Sequence, residues 1–312
     1  PKSQRGSIRK SAHIILSNPD MVHAGMLPNH ENWRDFYRDL RFVVLDEMHQ
    51  YRGVFGAHVA FVLRRLNRIA KWYGSRHIYL AGSATVANGR ELFKWLTESE
   101  PLVFSINDAA IPARTLIFAL PDEETDELPD SPTSISATVT AGLSRRGLVT
   151  LTFCRSRAGM ELVLRLARER LASVGVPPES VDGYRGGYTV QERRQIEQAL
   201  FRGELSGLVS TNALELGIDV GGLNAVVMNG FPTTISSFWQ QAGRAGRRFD
   251  DAVVVVIPHN DPLESFYARD PKEWIGRPIE HVALSLNNEN IVSRQLRCAA
   301  YERPLLLDEL AT

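Results

Sequence analysis

Arg41-Phe-Val-Val-Leu-Asp-Glu-Met-His49 is the stretch on which the reading of the fold turns. Four apolar residues run without a break into Asp46 and Glu47, a buried strand whose carboxyl end delivers two carboxylates to the rim of a sheet. In open α/β sheets the ligand crevice lies beyond the carboxyl ends of the strands, where adjacent carboxylates suit a hydrated Mg²⁺ and an attacking water. A strand ending in a solvated turn would carry the same residues. Far down the chain, Gln240-Gln-Ala-Gly-Arg-Ala-Gly-Arg-Arg248 offers a counterpart. Arg244 and Arg247, each behind a glycine, are rigid forked donors suited to phosphate oxygens, and phosphoryl transfer demands such positive charge.

The 312 residues are enough for two domains with real cores. Lys+Arg 36 balance Asp+Glu 36, so a nucleic-acid site must be a local strip, and an architectural coat protein is disfavoured. The two cysteines, Cys154 and Cys298, are too few for a disulfide framework or a self-contained zinc site and suit a reducing cytoplasm. The longest apolar run, 252–257, is far short of a membrane span, and the polar start lacks a signal-peptide core; no membrane partner is expected. The chain starts at Pro1 and not at Met, which suggests an excerpt of something longer.

Short apolar runs at 13–16, 42–45, 78–80, 148–153, 208–209, 225–228 and 253–257, with helical patterns between them, predict buried parallel strands in an α/β arrangement. Ser17-Asn-Pro-Asp20 reads as a phosphate clamp or an ordinary Asn-Pro turn. Trp33, Phe36, Tyr37 and Leu40 share a helical face and are expected in the core. Over 57–73 an apolar stripe leaves Arg64, Arg65 and Arg68 on a solvated face. Ser83 and Thr85 lie on a small-residue turn after the 78–80 run. Residues 102–106 and 114–120 look like a strand pair closing the first unit, and the acidic, proline-bearing 121–132 stretch marks the linker. The expected domains are therefore 1–120, a linker over 121–142, 143–275, and the start of an accessory, winged-helix-like domain over 276–312. In the second unit, Tyr184-Arg-Gly-Gly-Tyr188 is a plain loop or one that admits a sugar-phosphate backbone near Arg185. Ser210-Thr-Asn-Ala-Leu-Glu-Leu-Gly-Ile-Asp219 ends a strand in hydroxyls that can hold a phosphate and turns a carboxylate back toward the domain edge. Trp239 is expected to pack.

Taken in order, Ser-Asn-Pro-Asp, Asp-Glu-Met-His, Ser-Ala-Thr, Arg-Ser-Arg, Tyr-Arg-Gly-Gly, Ser-Thr-Asn-Ala-Leu-Glu-Leu-Gly-Ile-Asp and Gln-Gln-Ala-Gly-Arg-Ala-Gly-Arg resemble the superfamily-two helicases of the DExH type. Asn18-Pro-Asp-Met21, Tyr51-Arg-Gly-Val-Phe-Gly-Ala-His58 and Ser237-Phe-Trp-Gln-Gln-Ala-Gly-Arg244 are similar to the DNA-translocating group that includes mitomycin-repair-type helicases and their fungal RecQ-four-like relatives. The resemblance implies two RecA-like lobes, the first incomplete, which close over ATP and carry a nucleic-acid strand. It implies that Asp46 holds Mg²⁺ through water, Glu47 activates the attacking water, and His49 bridges to Gln240 or Gln241. Arg244 and Arg247 would act as arginine fingers, Gly217 and Asp219 would meet the ribose, and Ser83 and Thr85 would couple hydrolysis to closure. Ser17, Asn18, Arg155, Arg185, Gly186 and Thr211 would hold the backbone of single-stranded or partially duplex DNA. A 3′ to 5′ direction and a role in DNA repair follow from the resemblance alone.

The sequence departs from the pattern in one respect: no Gly-x-x-x-x-Gly-Lys-Ser/Thr loop occurs. The chain is therefore expected to lack the Walker A region and to show little ATP hydrolysis by itself. Rival readings are a DExH RNA helicase, a non-hydrolysing nucleic-acid scaffold, and a metal-dependent nuclease, for which one carboxylate pair is a thin endowment.

Overall fold

The computed structural model describes residues 6, 9, 11–84, 86–104, 113–120, 131–185, 187–211, 223–246, 252–306 and 309. The chain forms two compact units, Pro1–Ser105 with Glu280–Thr312, and Ile106–Ile279. Both are built on parallel strands flanked by helices, the α/β class expected.

In the first unit β1 (Phe42–Leu45) and β2 (Ile78–Ala81) pair in parallel, Phe42 beside Ile78 and Leu45 beside Ala81. Between them runs the Gly53–Trp72 helix, whose Val59, Ala60 and Leu63 meet Leu45, Met48, Leu92 and Leu96 in one cluster. Val62, Leu66, Ile69 and Ala70 meet Leu27 and Tyr37 in another, with Trp33 and Leu40 packed against it. Both clusters follow from apolar spacing along a single long amphipathic helix.

The second unit is a six-stranded sheet in the order β3-β8-β7-β4-β6-β5, all neighbours parallel. The strands are β3 (Arg114–Phe118), β4 (Thr150–Cys154), β5 (Val181–Tyr184), β6 (Gly207–Ser210), β7 (Ala225–Asn229) and β8 (Ala252–Ile257). Every residue of β4, β6 and β7 is buried, as a sheet covered on both faces requires. One face carries Leu151, Phe153, Val226, Met228 and Val254 against Ile235, Phe238 and Trp274. On the other, Val181, Val209 and Cys154 meet Ala137 and Ala141 of the Pro132–Arg145 helix and Met160, Leu164 and Leu171 of the Arg157–Ser173 helix.

Several elements fall elsewhere than the sequence suggested. Residues 14–16 form no strand; Ile14 is 83 % and Leu16 95 % exposed, and no described strand lies beside them. The strand at Arg114–Phe118 pairs with β8 and so joins the second sheet, while 102–104 is not a strand and 105–112 lie outside the described residues. Within the expected linker, Pro132–Arg145 is a helix: the Ser131 hydroxyl caps it, Pro132 starts it, and Ser136, Ala137, Thr140 and Ala141 form a small-residue face that is fully packed. Residues 121–130 lie outside the described set. Trp239 stays 38 % exposed because the core-facing phase of its helix belongs to Ile235, Phe238 and Ala242.

The tail packs as part of the first unit. Asn88 clasps Val282 through both amide atoms, 2.8 and 2.9 Å, and Gly53 N–H donates to Ala283 O at 2.7 Å. The Glu289–Glu302 helix then covers the arginine face of Gly53–Trp72, so Arg65 is buried and not solvated. Its guanidinium grips the Glu302 carboxylate and donates to Gln295 Oε1 at 2.8 Å and to His23 Nδ1 at 2.7 Å. Arg68, also expected to be solvated, has a side chain only 13 % exposed that binds Glu309 and the Ala299 carbonyl, and Arg64 is only partly exposed, 3.0 Å from Glu98.

Burial, then Arg65, hold the His23 pKa below its ordinary 6.5, while Glu302 and Asp20 oppose and His58 adds to the lowering. The unfolded chain therefore binds more protons in the window below 6.5, and stability contributed by the neutral ring is full above that pH and lost as the pH falls. Melting of the first unit should drop between pH 7 and 5, and His23→Gln should flatten that dependence. An unchanged slope in the variant would contradict this origin.

Candidate functional site

Beyond β1 the chain turns sharply. Glu47 sits at φ +47°, ψ +46°, a left-handed conformation that costs a side-chain-bearing residue about 1 kcal/mol or more. Asp46 Oδ1 accepts the Glu47 N–H at 2.9 Å and helps hold the turn. Met48 N–H donates to Gly82 O and Gly82 N–H to Leu45 O, both 2.9 Å, so the loop after β2 is laced to the acidic turn. A Cβ on Gly82 would stand 3.6 Å from Asp46 Oδ1. Asp46, Glu47, His49 and Ser83 are thus brought together at the carboxyl ends of two parallel strands, while Thr85 lies outside the described residues.

His49 is 6 % exposed; its Nδ1 accepts the Ala84 amide at 3.2 Å and lies 3.5 Å from Glu47 Oε2. Burial lowers its pKa more than Glu47 raises it, and a neutral ring accepting at Nδ1 carries its proton on Nε2. Among the described residues no three His, Cys, Asp or Glu side chains gather into a metal cage. An exposed Asp46 beside Glu47 fits a cation that keeps most of its waters and takes further oxygens from a phosphate, which is Mg²⁺ behaviour.

In the second unit, three of the expected contacts follow the ends of adjoining strands, Arg185 and Thr211 level with Cys154 and Arg155 one residue beyond. Tyr184, Ser210 and Phe153 stand side by side across β5, β6 and β4. Arg185 and Thr211 directly follow β5 and β6, and Arg155 directly follows Cys154 at the end of β4. Two cations and a hydroxyl therefore line one end of a parallel sheet, where neighbouring strands lie about 5 Å apart. Arg185 lies over the Tyr188 ring and 3.3 Å from Glu161. Arg155 donates through Nε to Phe231 O at 3.0 Å and pairs with Glu264. Gln240 and Gln241 lie on the Ile235–Ala242 helix, Gln241 3 % exposed and bonded to Ser237 Oγ, and Arg244 follows in the next turn, 8 % exposed. Arg247, Gly217, Asp219 and Gly186 lie outside the described residues. In the first unit, Asn18 Oδ1 caps the Pro19–Met21 helical turn through Met21 N–H at 2.7 Å, and Ser17 Oγ donates to Asn18 O.

The sequence matches the DEAD/DEAH box helicase family over residues 1–92 and the helicase conserved C-terminal domain over 134–249. The chain belongs to the superfamily-two helicases. It is 39 % identical over 312 residues to the uncharacterized ATP-dependent helicase YprA of Bacillus subtilis strain 168, covering 98 % of this chain and 41 % of that protein. It is 40 % identical over 314 residues to the ATP-dependent helicase hrq1 of Schizosaccharomyces pombe, covering 98 % of this chain and 29 % of that one. Its fold matches the crystal structure of the DUF1998 helicase MrfA bound to DNA and AMPPNP at a TM-score of 0.90 and 37 % identity, over 99 % of this chain and 43 % of that one. The chain thus spans less than half the length of these helicase relatives. The superfamily was legible from motif order; the carboxylate behind Arg155, Glu264, carries no motif and was not. Its only signal is an acid among the apolar positions of a proline-started helix. No described helix is long and apolar enough to cross a membrane.

Proposed function

We propose that this chain forms the motor portion of an ATP-dependent DNA helicase that tracks along single-stranded DNA, 3′ to 5′, in cytoplasmic DNA repair. The observation that carries the reading is that Arg185, Thr211 and Arg155 all lie just beyond the carboxyl ends of three adjoining parallel strands, in a chain 37 % identical to a helicase solved on DNA. We assign the first unit as the distal part of the ATP-binding lobe and the second, opening at Arg114–Phe118, as the helicase C-terminal lobe.

In this reading Glu47 orients the water that attacks the γ-phosphorus and accepts its proton, while Asp46 keeps its carboxylate for a water shell. A bound Mg²⁺ would supply charge neutralisation at the β- and γ-oxygens. Arg244 and Arg247 balance the charge spread over the equatorial oxygens, and Gly217 and Asp219 take the ribose. His49, with Ser83, Thr85, Gln240 and Gln241, relays the nucleotide state. Ser17, Asn18 and Gly186 add backbone contacts to the strand.

Such contacts are made to phosphates, so binding should be salt-dependent and nearly sequence-blind. Fluorescence anisotropy with oligo-dT is expected to give a log–log salt dependence that loses about 0.7 for each arginine removed in Arg155→Ala and Arg185→Ala. Equal or tighter binding of oligo-U with preferential RNA stimulation of ATP hydrolysis in the full gene product would instead select the RNA helicase reading. No strand binding at 50 mM salt, on the order where phosphate contacts are strong, would end both.

A further inference from the structure

Arg155 is held by more than its own strand. Nε and Nη2 both donate to Phe231 O, and Nη2 also pairs with Glu264 Oε1. Glu264 is 6 % exposed, and its other oxygen accepts two backbone amides, Phe231 N–H at 3.1 Å and His259 N–H at 2.8 Å. The carboxylate is therefore nailed to the loops after β7 and β8 and cannot swing with the arginine. Nη1 of Arg155 has no partner among the described residues, and the side chain remains 41 % exposed. Gly230 completes the cradle: at φ +86° it turns the chain, and a Cβ there would stand 3.0 Å from both Arg155 Nε and the His259 ring. His259 is itself fixed, its Nε2 2.8 Å from Asn229 Oδ1.

We infer that Glu264 is the positioning residue for Arg155, holding one edge of the guanidinium so that the Nη1 edge is presented to a phosphate of the bound strand. The inference rests on the strand-binding reading above. Its logic lies in a sign. A buried carboxylate beside a phosphate site repels the phosphate, so by long-range electrostatics alone its removal should tighten DNA binding. If its work is to preorganise Arg155, removal should weaken binding, because an arginine free to sample many rotamers forfeits the ordering already built into the fold.

The test is anisotropy of oligo-dT with Glu264→Gln, Arg155→Ala and the double variant, at several salt concentrations. Glu264→Gln should weaken binding about three- to tenfold, comparable to the loss of one phosphate contact, and should reduce the salt slope by about 0.7, as Arg155→Ala does. The double variant should be no worse than Arg155→Ala alone. Tighter binding, an unchanged slope, or losses that add in the double variant would overturn the assignment while leaving strand binding intact. If the wild-type chain binds no strand, the reading on which the inference rests falls and takes it along. Should Glu264→Gln fail to fold, Glu264→Asp keeps the charge but is one methylene short of the guanidinium. It should show the same loss of slope, and a wild-type slope would overturn the proposal.

Discussion

Replacing Glu47 by Gln is expected to lower strand-stimulated ATP turnover of the full gene product by about 10²- to 10⁴-fold, the usual contribution of a positioned general base, with little change in KM for ATP. The glutamine matches glutamate in size and can keep the same turn. The backbone bonds that hold it, Asp46 Oδ1 to Glu47 N–H and Met48 N–H to Gly82 O, involve no atom of the replaced carboxylate. The loss should therefore be chemical and not conformational. A second variant separates the two. Glu47→Gly removes the same carboxylate but enters the left-handed conformation at φ +47° without a Cβ penalty, so it should lose turnover equally while melting no lower than Glu47→Gln. Turnover unchanged in Glu47→Gln would dismiss the catalytic role of the Asp46–Glu47 turn, and a fall in both turnover and melting temperature would move the effect to folding.

What the sequence disclosed and what it hid divide along local and distant determinants. The runs that became β4, β6, β7 and β8 are apolar because parallel strands are buried on both faces, and that signal is contained in each run; β1, expected to be buried, instead leaves Phe42 51 % and Val44 66 % exposed, with β2 as its one neighbour among the described strands. β5, Val181-Asp-Gly-Tyr184, carries too little apolar character to announce itself and is a strand because β6 lies beside it. Arg114–Phe118 was readable as a strand, but its place beside β8 depends on residues more than a hundred positions away. The acidic turn and the hydroxyls of Ser210 and Thr211 were legible because strand ends are where parallel sheets expose functional groups, whereas Arg155 and Arg185 were singled out by resemblance of motif order and not by a strand reading. Nothing near Arg155 in sequence points to Glu264, and nothing near Arg65 points to Glu302, because each arginine's setting is decided by a helix that returns from far along the chain.

The Arg65–Glu302 pair makes that distant determinant measurable. Arg65 and Glu302 side chains are 4 % and 1 % exposed, and two nitrogens of the guanidinium meet both carboxylate oxygens. Desolvating two charges is offset only while both remain, so removing one leaves a buried ion with no counter-charge. Arg65→Met should cost about 3–5 kcal/mol and lower the melting transition of the first unit by on the order of 10 °C. It should also expose the Glu289–Glu302 helix to proteolysis, since that helix is joined to Gly53–Trp72 through Arg65, its bond to Gln295 and the Arg68 bond to Ala299. Glu302→Leu alone should be comparably damaging, because it strands the guanidinium and leaves His23 beside an uncompensated cation at 2.7 Å. The double variant Arg65→Met with Glu302→Leu replaces the pair by apolar groups of similar size and should recover most of the loss. If the single variants melt within 1 kcal/mol, roughly the value of an exposed ion pair, the tail helix is not anchored here. If the double variant is as unstable as the sum of the two, the pair's effect lies in packing and not in paired charge.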